Sequence, residues 1–260
     1  MPSLLSNPLT RRLLRPAVSL VEQRMEHVTH AFQKDLDALH HELADLRRRS
    51  YGLGLLLDHT GRDAHRMPTP EQVDRLVAEL GALTGAADER ARGDVTVAYR
   101  HLVALEALGA GGIGGSVSDV CGRLAAVPRL VGAARGGVVE VLETGARHGL
   151  FAAALRRMLR RQGVEARLTL TGALDEDAVR DNLALGGAGS GETRLVRGGP
   201  DGPEVRDRRY GVLLLDAACE DVLGLAAPDA LLVAPPAASA GLGLRPLGRV
   251  ADSAYHSAAA

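Results

Sequence analysis

The alternation of short apolar runs with helix-length amphipathic segments after Gly136 most restricts how this chain can fold. The predicted strands and helices lie, in chain order, at 138–142, 150–161, 167–171, 175–185, 192–196, 211–216 and 230–234, and residues 241–257 are expected to add a last strand or two. Strands joined by helices form right-handed crossovers between parallel neighbours. The pattern therefore predicts an α/β fold, with a Rossmann-like, mostly parallel sheet and helices on both faces, in a domain spanning 135–260.

The region 1–134 is predicted to be helical, and its first element is a long amphipathic helix over about 17–50. The apolar residues that recur along it at steps of three and four are Met25, Val28, Phe32, Leu36, Leu39, Leu43 and Leu46. This spacing places them on one stripe of a helix. Two interpretations stay open: the helix packs on its own domain, or the stripe joins two copies of the chain in a homodimer.

Cap helices are predicted over about 70–127. Thr69 and Pro70 are typical of a helix start, and a further helix is expected to run to Leu108. The glycine-rich run 109–116 then breaks the helical pattern, and a short helix is expected to end before Pro128. The run itself is interpreted as a hinge, a wall of a substrate cleft or a flexible linker.

Composition excludes several classes of partner. The chain has 260 residues, a formal net charge of −1 and 2% aromatic residues, so neither attraction to nucleic acid nor a stacking surface for bases is expected. No apolar run of about 18 residues is present, so no membrane partner is expected. The two cysteines, Cys121 and Cys219, give neither a disulfide framework nor a paired metal motif. These features favour a cytoplasmic protein.

A glycine turn from Glu143 to Gly149 follows the first predicted strand and opens a helix. In open parallel sheets, ligands bind beyond the carboxyl ends of the strands. Gly145 allows a sharp turn and a close approach to a ligand, while Gly149 allows the next helix to pack closely on the sheet. Glu143 can accept hydrogen bonds from a ligand amine or from the loop. Because Arg147 stands where a dinucleotide-binding turn has its middle glycine, a bound pyrophosphate is not expected.

The acidic strand end, the ExGxxxG pattern and the following helix resemble the first motif of class I S-adenosylmethionine-dependent methyltransferases. The likeness is to small-molecule O-methyltransferases of the catechol-methyltransferase-like and macrolide-sugar-methylating type. Segments at 179–187, 194–198, 207–216 and 227–236 resemble later parts of that family, so the resemblance covers about 136–236. It implies S-adenosyl-L-methionine as the cofactor and a small-molecule acceptor, of the kind found in secondary metabolism, as the partner.

The resemblance also implies roles for individual residues. Those implied for cofactor binding are Glu143, Thr144, Gly145 and Gly149 around the methionine end, Gly172 and Asp175 near the ribose, and Gly198 near the adenine. Asp216, at the end of the fourth strand of the sheet, is implied at the reaction centre as the catalytic residue.

The chain departs from the family at three strand ends. Thr171 and Gly172 stand where an acid that holds the ribose is usual, and Asp175 is either its substitute or the cap of the next helix. Cys219 falls in the acid–His pattern expected after the fourth strand, and Pro235-Pro236 replaces a pair of acids after the fifth. Because Mg²⁺ needs several oxygen ligands, no metal site is assembled from these positions. Metal-independent methyl transfer is therefore expected.

Three further features allow a functional and a structural interpretation. The loop 58–65 contains two Asp and two His, but its spacing matches no metal motif, so a polar loop explains it better. His148 is either a base that faces the ligand or a side chain that points to solvent or packs on the adenosine edge. Cys219 is better explained as a buried structural thiol than as a nucleophile, because no histidine lies near it in sequence.

Two functions of different classes remain at this point. The first is methyl transfer from S-adenosylmethionine to an oxygen or nitrogen of a small acceptor. The second is a methyltransferase-like fold without methyl transfer, which serves as a partner subunit, a ligand sensor or an enzyme of another reaction. The missing acids favour the second function, and the glycine turn favours the first.

Overall fold

The structure is a computed structural model, which describes residues in both of the compact units into which the chain divides. The described residues are 24–25, 28–30, 32–36, 39–40, 43, 69–85, 89–134, 137–187, 192–216, 220–239 and 243–258. The chain divides into two compact units, residues 1–46 and residues 47–260.

The second unit is an α/β structure. Its helices are α1 (Pro70–Thr84), α2 (Glu89–Leu108), α3 (Val117–Ala134), α4 (Leu150–Arg161), α5 (Glu176–Leu185) and the short α6 (Pro203–Arg206) and α7 (Pro236–Ser239), with a 3-10 helix at Glu220–Leu225. Its strands are β1 (Val138–Glu143), β2 (Glu165–Gly172), β3 (Thr193–Arg197), β4 (Tyr210–Leu214), β5 (Ala226–Ala234), β6 (Arg245–Val250) and β7 (Ser253–Ser257).

The seven strands form one sheet in the order β3-β2-β1-β4-β5-β7-β6. Strands β1 to β5 pair in parallel, whereas β7 is antiparallel to both β5 and β6. The predicted fold class is confirmed. The direction in which strands are added reverses between β1 and β4, so a crevice is expected at the carboxyl ends of these two strands.

Helix α1 begins where the sequence predicts. The Thr69 hydroxyl accepts a hydrogen bond from the Gln72 backbone N–H at 3.3 Å, and the Gln72 side chain accepts one from the Thr69 N–H at 3.0 Å. This capping box satisfies two N–H groups that the first turn leaves without helical partners. Leu76 and Leu80 of the predicted stripe are fully buried, and they anchor α1 in the core.

Helix α3 is longer than predicted, because it passes through Pro128 and ends at Ala134. Proline removes one helical hydrogen bond and favours a break. Here the apolar residues on both sides of it, Leu124, Val127 and Val131, are buried in the core. Their packing stabilises the helix across the proline, so the prediction of an end before Pro128 is wrong.

The remaining boundaries differ from the predicted ones by a few residues, and the tail predicted as one or two strands forms β6 and β7. Helices α1 to α3 share one hydrophobic core with α4, α5 and one face of the sheet. The described cap helices lie in the same compact unit as the sheet. The domain boundary at residue 134 stays a prediction.

The described residues of the first unit fall within the long helix predicted over about 17–50, whose ends lie outside the described residues. Every described residue between 24 and 43 is helical, and the Thr29 hydroxyl donates a hydrogen bond to the Met25 carbonyl at 2.8 Å. In the part of the chain that the structure describes, no helix combines the length and the apolar character that a membrane crossing requires.

Candidate functional site

A cavity of about 480 Å³ lies at the carboxyl ends of β1 and β4, where the strand order reverses. Its volume is within the range of small-molecule sites. Its lining comes from the loop before α3, from α3 itself, from the turn 143–149 with the start of α4, from the ends of β4 and β5 and from the β6–β7 turn. Of the predicted site residues, Glu143, Thr144, Gly145, Gly149 and Asp216 line it.

Glu143, the last residue of β1, carries an unpaired acceptor. Its Oε2 atom is buried and has no hydrogen-bond partner. Burial raises the pKa of Glu143 to about 7; the positive charge of Arg123 opposes this shift and the negative charge of Asp216 adds to it. A buried carboxyl oxygen without a donor is costly, and a cationic donor entering the cavity would stabilise the ionised form.

Thr144 and Asp216 hold each other across the ends of β1 and β4. The Thr144 hydroxyl donates to Asp216 Oδ1 at 2.7 Å and accepts from the Asp216 backbone N–H at 3.1 Å. The Thr144 N–H donates to the Leu214 carbonyl at 2.9 Å, which continues the β1–β4 ladder. Asp216, the predicted catalytic residue, is exposed. Its two hydrogen bonds with Thr144 fix the orientation of its carboxylate.

Gly145 is required at its position by Asp216. Its φ of +70° is unfavourable for side chains, and a Cβ there would lie 2.1 Å from Asp216 Oδ2. Gly149 has a similar φ of +69°, and a Cβ there would lie 3.0 Å from Val179 on α5. Gly149 therefore allows α4 to pack close to α5, a helix on the same face, where the sequence indicated contact with the sheet.

The three remaining predicted cofactor residues are not among the described residues that line the cavity. Gly172 supports the turn from behind, since a Cβ there would lie 3.1 Å from the Ala146 carbonyl oxygen. Gly198 donates its N–H to the Gly172 carbonyl at 3.3 Å. Asp175 caps α5, accepting a hydrogen bond from the Ala178 N–H at 3.2 Å. The helix-cap interpretation of Asp175 is confirmed, and its contact with a ribose stays a prediction.

The wall of the cavity that α3 forms, with Asp119 and Arg123, was not predicted from the sequence. Arg123 of α3 lies over the Phe151 ring at 4.8 Å from its centroid and pairs with Asp119 at 3.1 Å. The Nε of Arg123 is buried without a hydrogen-bond partner. Asp119 in turn accepts a hydrogen bond from the Ser253 hydroxyl at 2.6 Å. Helix α3 and the start of β7 thereby place a guanidinium group at the cavity that Glu143 lines.

The glycine run contributes a wall of the cavity, because residues 112–116 line it. His148 also lines the cavity, packs against Gly111 and has a buried Nδ1 without a partner.

Among the described residues, no group of three His, Cys, Asp or Glu could hold a metal ion. Cys219 and the loop 58–65 lie outside the described residues.

The chain is similar to several solved structures of other proteins. No family model matches the chain, and no curated protein matches it. Similar solved structures include the cofactor-bound protein Rv0187 from MTB, at 20% identity and a TM-score of 0.36, over 65% of this chain and 73% of that one.

Two further structures are methyltransferases by name. The SAH-bound methyltransferase PaMTH1 of Podospora anserina is 13% identical with a TM-score of 0.39, over 65% of this chain and 71% of that one. An O-methyltransferase family protein from Burkholderia thailandensis is 14% identical with a TM-score of 0.39, over 72% of this chain and 68% of that one. The chain is similar to these proteins, and likenesses at this level transfer neither ligand nor activity to it.

Proposed function

We propose that the chain is an S-adenosylmethionine-dependent methyltransferase that acts on an oxygen or nitrogen of a small molecule. The observation that carries this proposal is the buried, unpaired Oε2 of Glu143 in the cavity at the β1–β4 switch point. Buried polar atoms without a partner are rare and require an explanation. A ligand ammonium group supplies the missing donor.

The charged residues of the cavity fit the methionine end of that cofactor. Its ammonium group matches the Glu143 carboxylate, and its carboxylate group matches the Arg123 guanidinium, whose Nε lacks a partner. Charge-assisted hydrogen bonds of this kind are about twice as strong as neutral ones. The exposed backbone at Gly145, which has no side chain to obstruct it, allows a ligand to approach the turn closely.

Bound S-adenosylmethionine supplies an electrophilic methyl group on a positively charged sulfur. The chain then has to exclude water, orient the acceptor and take up a proton. Asp216 is exposed, lines the cavity and is oriented by Thr144, so its carboxylate is the proposed proton acceptor. His148 is an alternative, because its unpaired Nδ1 lies in the same cavity lining.

The test is isothermal titration of the full chain with S-adenosylhomocysteine, with thermal shift as a second readout. We expect micromolar binding by the wild-type chain and about a tenfold to hundredfold loss for Glu143→Gln, which corresponds to about 1–3 kcal/mol. The matched control is Glu140→Gln on the same strand. Glu140 pairs with Arg167 at 3.3 Å and Arg208 at 3.2 Å and does not line the cavity, so binding should be unchanged.

Absence of binding by the wild-type chain in both readouts would overturn the proposal. Equal loss in the Glu143 and Glu140 variants would show that β1 matters only for folding, and the site assignment would then be withdrawn.

A second candidate is a protein that binds the same cofactor without transferring its methyl group. It is favoured by the acids that the resembling family has and this chain lacks after the fifth strand, where Pro235-Pro236 stands. The two candidates differ in turnover. Methyl-labelled S-adenosylmethionine incubated with the chain and a small-molecule extract of cells yields a labelled product only in the first case.

A further inference from the structure

The helix of the first unit presents an apolar stripe that the proposed function does not use. Its six large apolar residues, Met25, Val28, Phe32, Leu36, Leu39 and Leu43, are between 42% and 67% exposed. At about 100° of rotation per residue, they lie within an arc of about 80°. From residue 25 to residue 43 the stripe is about 27 Å long. Exposed apolar surfaces of this extent are typical of protein interfaces.

We propose that this stripe binds the same stripe of a second copy of the chain, and that the two helices run parallel. Phe32, Leu36, Leu39 and Leu43 follow alternating steps of four and three, which is the a/d spacing of a coiled coil. With Phe32 and Leu39 at d, the neighbouring copy covers each stripe along its length.

The polar residues that flank the stripe favour one direction of pairing. In this register Asp35 lies at position g and His40, five residues later, lies at position e. Parallel helices bring g of one copy beside the following e of the other, so that Asp35 meets His40. Antiparallel helices bring like positions together, so that Asp35 would face an acidic residue of the other copy.

The sequence repeats this arrangement one heptad later. In the sequence alone, Glu42 and Arg47 are again five residues apart and fall at g and e of the same heptad pattern. In the parallel arrangement Glu42 meets the opposite charge of Arg47 and Asp35 can accept a hydrogen bond from His40, whereas in the antiparallel one the acidic g residues of the two copies face each other. Complementary e and g charges set the partner and the orientation in coiled coils.

The first experiment measures the mass of the full chain by sedimentation equilibrium over a range of concentrations. We expect a dimer, at twice the chain mass of 27.2 kDa. Leu36→Glu places a charge in the stripe and should give a monomer. The matched control is His30→Glu, which adds the same charge on the opposite face of the helix and should remain a dimer.

A wild-type chain that is monomeric at every concentration would overturn the proposal, since the stripe is then covered by the chain itself or by another partner. A Leu36→Glu chain that remains a dimer would also overturn it. Far-UV circular dichroism of each variant checks that the second unit is folded, so that loss of the dimer is not a loss of structure.

The second experiment tests the direction. Asp35→Lys should weaken the dimer about fivefold, and the added change His40→Glu should restore it by reversing the pair. A Met25→Cys chain should form a disulfide-linked dimer on oxidation, because in parallel helices residue 25 faces its own copy. Failure of both the charge rescue and the cross-link in a chain that dimerises would exclude the parallel arrangement.

Discussion

At the scale of single residues, the turn after β1 is defined by the mutual fit of Gly145 and Asp216. The Asp216 carboxylate occupies the space that a side chain at position 145 would need, and the hydrogen bond from Thr144 keeps it there. The glycine therefore serves two purposes: it adopts a left-handed φ of +70° and it admits the carboxylate of another strand.

This fit gives a prediction for Gly145→Ala. The Cβ would meet Asp216 Oδ2 at 2.1 Å, so the carboxylate must move and the turn must change shape. We expect loss of S-adenosylhomocysteine binding by calorimetry, and the larger side chain of Gly145→Val should abolish it as well.

The matched control is Gly163→Ala. Gly163 has a φ of +74°, close to that of Gly145, but a Cβ there meets nothing within 4 Å. Both variants pay a similar backbone cost of about 1 kcal/mol, so only a specific effect on the cavity separates them. A folded Gly145→Ala chain that binds as tightly as the control would remove Gly145 from the site.

A second residue-scale prediction concerns pH. Burial raises the pKa of Glu143 to about 7 in the folded chain, from an ordinary value of 4.5. The folded chain therefore keeps this proton over a pH range in which the unfolded chain has lost it. The free energy of unfolding should fall by up to about 3 kcal/mol as pH rises from 4.5 through 7.

Urea unfolding of the ligand-free chain at pH 5 and pH 8 measures this effect. Glu143→Gln, which does not titrate, should show a smaller decrease between the two pH values than the wild-type chain. Equal pH dependence in both chains would mean that burial does not raise the pKa of Glu143. S-adenosylhomocysteine should reduce the wild-type decrease, because its ammonium group stabilises the carboxylate.

At the scale of helices and strands, the sequence predicts β1 to β5 and α1, α2, α4 and α5 because each has a local signal: a buried run, an amphipathic period or a cap. The passage of α3 through Pro128 has no such signal, since it depends on packing against partners distant in sequence. The same holds for the wall made by Arg123. Its neighbour Asp119 is held by Ser253, 134 residues away, and no local pattern connects them.

Asp94 of α2, whose side chain is 1% exposed, links α2 to α3 and to the end of α4. Asp94 accepts hydrogen bonds from Arg129 of α3 at 3.4 Å, from Arg161 of α4 at 3.1 Å and from Gln162 at 3.0 Å. This junction sets the position of α3, and with it the position of Arg123 in the cavity.

We expect Asp94→Asn to lower the free energy of unfolding by about 3 kcal/mol, because it removes the buried negative charge to which Arg129 and Arg161 donate hydrogen bonds. Urea unfolding at pH 7 is the measurement. The control is Asp74→Asn, whose pair with Arg92 at 2.6 Å is at least half exposed on both sides and should be worth less than about 1 kcal/mol. Similar losses in the two variants would contradict a special role for Asp94.

At the scale of the whole molecule, the candidate site is made by segments from the cap, the centre and the end of the chain. The β1 and β4 ends supply the carboxylates, α3 supplies the guanidinium, and Ser253 at the start of β7 donates a hydrogen bond to Asp119. The sequence predicts the first contribution, because parallel strands present their carboxyl ends at one edge. The others follow from tertiary packing alone.

The last prediction concerns divalent metal. The strand ends at which the resembling family places carboxylates hold Cys219 and Pro235-Pro236 here, and hard cations need several oxygen ligands. We therefore expect EDTA to leave S-adenosylhomocysteine affinity and any methyl transfer unchanged, and added Mg²⁺ to leave the thermal midpoint unchanged. The control adds EDTA with excess Mg²⁺, which restores the free ion without removing the chelator. An activity that EDTA abolishes and Mg²⁺ restores would contradict metal-independent methyl transfer.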